Sequence, residues 1–332
     1  AFFANLIGLN ISASFNSAIT IYIVIPLIII PMMVLSGAMF PFDKLNRFIS
    51  NVDKVPFIAE VMPTRWTYEA LMVSQFKDNR YARFSESQYG PTVYDYKKNI
   101  SIANYYSVRY IPALISALET TDSVYREMTR ISNNPDRVPV KSNALAESGK
   151  LDLLRNELAR LNRKFPSLQP FRNINDLTVE KYNTSVYQET LTYLRYVGDS
   201  FTRIGNKVSD EWDNFYITNR DEIRRLENMY GNLKLQEIVT KFYERDKSKI
   251  LEYKNRLVQN YDPVYLEPEN RGYFAFRTHF FAPSKYFMGR LFDTFGFNIT
   301  LLLVSLIILY ITLYYELLGK LVDYVEKIRF KK

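Results

Sequence analysis

The sequence predicts an all-α fold in which polytopic membrane helices carry a large inserted, coiled-coil-like helical domain. Three observations predict it. Residues 1–42 and 294–315 contain no charged side chain, although the 332 residues hold 43 Lys+Arg and 35 Asp+Glu. Between these runs, apolar residues recur at steps of three and four, the mark of amphipathic helices. The chain has no cysteine and one histidine, His279. That excludes disulfides, thiol nucleophiles, Cys-based zinc or iron–sulfur sites and His-rich metal sites. A plain soluble globule would not separate neutral and charged sequence in this way.

The first neutral run is too long to be one span. As a single helix it would measure about 63 Å, against a hydrocarbon core of about 30 Å. The small polar patch Asn10–Ser17 breaks it. Residues 1–12 read as the end of one span and about 19–40 as a complete second one, so 1–42 is a transmembrane hairpin turning near Asn16. The second span carries Pro26 and Pro31. Each would cost about 3 kcal/mol inside a soluble helix, but in a bilayer neighbouring groups re-satisfy the freed backbone. Two readings stand at this point: a bent helix that faces a cavity or moves, and a simple kinked anchor. The chain begins at Ala1 within apolar sequence, which fits part of a longer protein better than a signal peptide.

Residues 43–80 read as short interfacial or re-entrant helices. Pro63-Thr64 is a helix start, and Trp66, Ala70 and Val73 then line one face. Arg65 and Glu69 lie one helical turn apart and can pair. On an exposed face the pair would be worth a few tenths of a kcal/mol, and an exposed surface pair is the plain reading.

Residues 81–270 read as an extracytoplasmic helical domain. Its start, to about 115, is Tyr-rich and irregular, with a turn at Gly90-Pro91. Helix is expected from about 113, interrupted at Asn133, Asn134, Pro135 and Pro139. Leu151, Leu154, Leu158 and Leu161 form one apolar stripe. Tyr187, Leu191, Leu194, Val197, Phe201, Ile204, Val208, Trp212 and Phe215 form a longer one, continued through Ile223, Leu226, Tyr230 and Leu233. Ile250, Tyr253 and Leu257 extend the same pattern. The rings on these stripes read as core rather than as a ligand cage.

Residues 271–294 form an aromatic segment, including Tyr273, Phe274, Phe276, Phe280, Phe281, Tyr286, Phe287 and Phe292, as at a bilayer interface. Arg277, Lys285 and Arg290 interleave with the rings and would snorkel to headgroups. Residues 295–318 are the last span. The tail 319–332 ends Lys327-Ile328-Arg329-Phe330-Lys331-Lys332, and short basic flanks favour the cytoplasm. One crossing then puts about 43–293 outside.

No enzyme site is visible. There is no Walker A loop, no Gly-x-Gly-x-x-Gly and no His-Glu-x-x-His. Carboxylates such as Glu211, Asp213, Asp221 and Glu222 sit on solvated helical faces between cations. His279, beside the membrane, reads as an interfacial packing residue. A net charge of +8 without a Lys/Arg block marks no nucleic-acid surface.

Three ordered blocks carry a family resemblance. Pro31-Met32-Met33-Val34-Leu35-Ser36-Gly37-Ala38-Met39-Phe40 resembles the fifth transmembrane helix of ABC-2 permeases, closest to the ABCG (White) branch. Pro63-Thr64-Arg65-Trp66-Thr67-Tyr68-Glu69-Ala70-Leu71 resembles the Arg-aromatic-x-aromatic-Glu-Ala-Leu run that follows it there. Asn5–Ala13 is similar to the end of the fourth helix, and 295–315 sits where the sixth belongs. The resemblance covers about residues 1–80 and 285–320.

It implies the permease part of an ATP-driven exporter in a bacterial inner membrane, working by alternating access on a hydrophobic or amphipathic substrate. It implies a homodimer and an ABC ATPase domain in cis or trans, with ATP and Mg on that domain and no cofactor in this chain. By position, Pro26, Ile30 and Met33 would line the substrate path. Ala38 and Met39 would stand where the family has a paired hydrophobic plug. Ser36, Gly37, Arg65, Trp66, Tyr68 and Glu69 are the motif positions. The family's outer loop is compact, so the long insertion suggests a periplasmic extension with a cargo or envelope partner. The rival reading is a membrane-anchored periplasmic scaffold, like regulators of polysaccharide chain length, without transport. The apolar stub 1–12 speaks against it, because a two-span protein needs no third apolar segment.

Overall fold

The computed structural model describes residues 2–15, 17–45, 53–132, 149–241, 249–270 and 272–329. Asn16, Arg47–Ile49, the interruption at Asn133–Pro139 and the basic end at Phe330–Lys332 lie outside these residues. The chain divides into two compact units, one formed by 1–78 with 266–332 and the other by 79–265. The second unit is close to the expected insertion of 81–270.

The first unit begins with α1 (Phe2–Ser14) and α2 (Ala18–Val34). The polar patch does separate them, but Asn10 lies inside α1 and the helix runs on to Ser14. Helix α2 stops at Val34 rather than Phe40, because Gly37 adopts φ +79°, a left-handed conformation that ends helices. Then come the single turn α3 (Phe57–Glu60) and α4 (Pro63–Lys77), which has Pro63 in its first turn. Trp66, Ala70 and Val73 are buried on one face of α4, as their spacing predicts.

The second unit starts earlier as helix than the sequence suggested. Thr92 and Asp95 form a capping box, so α5 (Val93–Asn104) opens inside the Tyr-rich stretch. A π-helical turn, Tyr105–Tyr110, joins it to α6 (Ile111–Ser132). Helices α7 (Lys150–Lys164) and α8 (Thr184–Thr218) pack on α6. Leu154, Leu158, Leu194 and Val197 fill the core between them, and Tyr106 stacks on Phe201 with ring centroids 4.6 Å apart. Ile204 departs from the predicted stripe and is exposed. At this level α8 instead turns Gly198 towards Ile111 and Gly205 towards Ala103, and the small residues let the helices approach closely.

Helices α9 (Arg220–Tyr230) and α10 (Leu233–Val239) follow. Ile250, Tyr253 and Leu257 are not helical. They belong to a hairpin of β1 (Ile250–Glu252) and β2 (Leu257–Gln259), with Leu251 opposite Val258. Its tight turn sets Lys254 and Asn255 at φ 51° and 54°, the geometry of a two-residue turn with positive φ at both positions. The buried Glu157 carboxylate accepts from Leu257 N at 3.0 Å and from the Tyr110 hydroxyl at 2.5 Å, tying the hairpin to α7 and the π turn.

The chain then returns to the first unit through a second hairpin, β3 (Ser284–Phe287) and β4 (Arg290–Asp293), turning at Met288-Gly289. These two hairpins correct the all-α expectation, although the molecule remains mostly helical. The last helices are α11 (Thr294–Tyr314) and the amphipathic α12 (Leu317–Arg329). The expected span 295–318 therefore ends at Tyr314, where Glu316 at φ 50° starts a new direction. Among the described residues, α11 is the one helix long and apolar enough to cross a membrane; α1 and α2 are shorter apolar helices. Helix α11 lies against both α1 and α4.

Candidate functional site: the α2 face and the α4 charge cluster

The three predicted path residues share one face of α2. Pro26, Ile30 and Met33 are all exposed in the single chain, and α2 has no buried residue along its length. An adjacent face looks into an apolar crevice of about 400 Å³, lined by Ile7 and Ile11 of α1, Ile25, Ile28, Ile29 and Met32 of α2, and Thr64 and Thr67 of α4. Pro26, Ile30 and Met33 are not part of that crevice. Ala38 and Met39 lie past the end of the helix and are exposed. Ser36 and Gly37 are buried beside them.

The motif on α4 is a buried charge cluster, which corrects the reading of Arg65 and Glu69 as an exposed pair. Both side chains are 0 % exposed. The Arg65 guanidinium lies 3.3 Å from Glu69 and 3.4 Å from Glu60, and 3.8 Å over the Trp66 ring. Lys285 is also fully buried, so it does not snorkel. Its Nζ donates to Glu69 Oε1 at 2.7 Å and to Thr278 Oγ1 at 2.9 Å. Asn298 of α11 donates to Glu69 Oε2 at 3.0 Å and to the Trp66 carbonyl at 3.1 Å. The hairpin strand β3, the start of α11 and α4 thus meet on one carboxylate.

Isolated charges do not survive such burial, and the cluster balances them. Burial pushes Glu69 upward, but Arg65, Lys285 and the hydrogen bonds from Lys285 and Asn298 outweigh it and hold the carboxyl below its ordinary value. Burial pushes Glu60 up, with Arg65 and Lys285 only partly opposing it. Burial likewise lowers the Lys285 ammonium, against the pull of Glu69. Ion pairs of this kind fix geometry more than they add stability, since desolvation offsets most of the attraction.

The rings expected at an interface divide into two sets. Trp66 lies 6.4 Å from Phe276 and 6.3 Å from Phe297, and Tyr68 lies 6.2 Å from Phe280 and 6.0 Å from Phe281. Those rings pack inward on α4, whereas Tyr273, Phe274 and Phe292 are exposed. His279 lines a separate polar crevice of about 290 Å³ with Lys54, Glu269 and Arg277. Among the described residues no group of three His, Cys, Asp or Glu is placed to hold a metal ion.

Sequence reasoning missed Lys285, Glu60, Asn298 and Thr64 as members of this arrangement. Asn298 was visible in principle, because an amide in an otherwise apolar span asks for a partner. So was Asn10, which donates to Leu6 O at 2.8 Å and across to Leu309 O of α11 at 3.1 Å.

Residues 1–76 match the model of the ABC-2 type transporter family. This stretch is an ABC-2 type transporter permease region. It contains α1, α2 with the Pro26–Ile30–Met33 face, and the Arg65–Glu69 motif. No curated protein and no solved structure matches the chain. The match, confined to residues 1–76, supports a membrane-embedded segment of a permease type that works with an ATPase.

Proposed function

We propose that the chain is the permease portion of an ATP-driven ABC-2 exporter, closest to the ABCG branch, which moves a hydrophobic or amphipathic substrate outward by alternating access. The observation that carries this reading is the match of residues 1–76 to the ABC-2 family. The exposed apolar stripe Pro26–Ile30–Met33 supports it as a face that, among the described residues, no other helix covers and that is open to packing by a neighbouring helix. A second copy supplies that cover, with the two α2 helices flanking the path. Transport is the role of this chain, and hydrolysis belongs to an ABC ATPase domain, in cis or trans, that binds ATP and Mg.

The unit 79–265 is an extracytoplasmic, periplasmic extension of a bacterial inner-membrane protein, and its helical surface docks cargo or an envelope partner. The arrangement of the first unit agrees with this topology. Helix α1 runs parallel to α11 and α2 antiparallel to it, since Asn10 meets Leu309 while α4 joins Met32 to Asn298. The C-terminal end of α1 then lies beside the start of α12, where Gly319 meets Ser14. The scaffold alternative loses ground to the family match.

Met33→Arg tests the assignment in membranes holding the complete transporter. A charge on this apolar face, close to the C-terminal end of α2, is expected to be unfavourable in a lipid setting. ATP-dependent efflux of an amphipathic dye is expected to be lost while the protein remains inserted and folded. Unchanged efflux by a correctly inserted variant refutes the path.

A further inference from the structure

Helix α2 touches α1 and α4, but among the described residues its side-chain hydrogen bonds gather at its C-terminal end. Along its first turns Ile19, Tyr22 and Ile23 are largely exposed. Pro26 and Pro31 carry no N–H, so two backbone bonds of the helix are missing. Its C-terminal end is different. The Thr64 hydroxyl donates to the Met32 carbonyl at 2.6 Å, satisfying a group that a helix end otherwise leaves bare. The Ser36 hydroxyl donates to Met33 O at 2.6 Å and accepts from Ala38 N at 3.1 Å. Gly37, at φ +79°, is pressed beneath two rings: a Cβ there would come within 2.7 Å of Phe280 and 2.9 Å of Phe42. Those rings meet edge to face at 4.8 Å and belong to a small core with Val55 and Ala59.

We propose that Met32–Gly37 is a fixed pivot, clamped by Thr64, Phe42 and Phe280, and that α2 swings about it as a lever with its proline-weakened N-terminal part moving most. The clamp is anchored through α4, which the Glu69 cluster fastens to β3 and α11. The inference rests on the reading of α2 as a conduit wall only for its purpose; the pivot itself is measurable without any transport.

Because these 332 residues hold no cysteine, spin-label pairs can be placed cleanly within them in the protein in lipid nanodiscs. One pair joins Tyr22→Cys to Ile308→Cys and the other joins Ala38→Cys to Phe295→Cys. The first distance distribution is expected to be about twofold broader than the second, as for a mobile against an anchored segment. Thr64→Val should broaden the Ala38 pair about twofold while Thr64→Ser leaves it narrow. Equal widths at the two ends overturn the pivot, as does a Thr64→Val distribution indistinguishable from the parent. If Thr64→Val proves unstable, the parent comparison of the two pairs still decides. A confirmed pivot together with unchanged efflux by Met33→Arg would sink the conduit and spare the hinge.

Discussion

Helices α11 and α2 are both apolar, yet they are secured in opposite ways. An asparagine contact fastens α11 near each end: Asn298 reaches Glu69 and Trp66 of α4, and Leu309 O accepts from Asn10 of α1. Its first residue, Thr294, is buried and donates to Ala282 O at 2.6 Å, and Asp293 caps it and pairs with Lys77. Helix α2 has no buried residue and, among the described residues, one side-chain hydrogen bond from another helix, Thr64 to Met32. Apolar composition puts both helices in the same solvent, but the polar pins hold α11 near both ends and α2 at one.

The largest effect should come from cutting the anchor of α11. Glu69→Ala leaves Lys285 and Arg65 buried without their shared carboxylate, and breaking one side of a buried pair costs about 3–5 kcal/mol. Thermal unfolding in detergent should show a marked loss. The double variant Glu69→Met with Lys285→Met should be milder than either single change, because no orphan charge remains. A double variant worse than both singles would mean that the network is not self-contained.

Acidification attacks the same point. With its folded-state pKa held below the ordinary 4.5, Glu69 contributes stability that is present above that value and lost as pH falls through the lowered one. Glu60, raised by burial, works the other way and loses its contribution as pH rises through its raised value. Melting curves should therefore fall steeply below pH 4.5, and Glu69→Gln should flatten that limb. A limb of the same slope in Glu69→Gln would assign the acid sensitivity elsewhere.

A smaller effect sharpens the contrast between the two helices. Asn298→Leu removes two hydrogen bonds of α11 and should cost about 1–2 kcal/mol. Ile23→Ala on the exposed part of α2 should fall within about 0.5 kcal/mol of the parent. Comparable losses at the two sites would erase the distinction drawn here.

Much of this was readable in the chain. The two neutral runs, the Pro63 helix start, the buried face at Trp66, Ala70 and Val73, and the Leu151–Leu161 stripe follow from local periodicity, and the structure has them. What escaped was non-local. Spacing shows that Arg65 can reach Glu69, but not that Lys285 will arrive from 216 residues away and bury both. The hairpin at 250–259 lacks the Asn-Gly signal, and Leu257, Tyr253 and Ile250 satisfy a helical period by chance. At Ile204 the predicted stripe lost to a pair of glycines that let α8 approach its neighbours. Helix α2 ends early at a glycine that the motif comparison had singled out for another reason.

The central claim is that the exposed α2 face is one wall of a paired path, and disulfide trapping in native membranes tests it most directly. With Ile30→Cys as the sole cysteine, oxidation is predicted to link two copies. Ile28→Cys, on the crevice side, is predicted to stay unlinked. Ready labelling of Ile30→Cys by a lipid-soluble maleimide with no cross-link, or equal linking at both positions, would contradict the account.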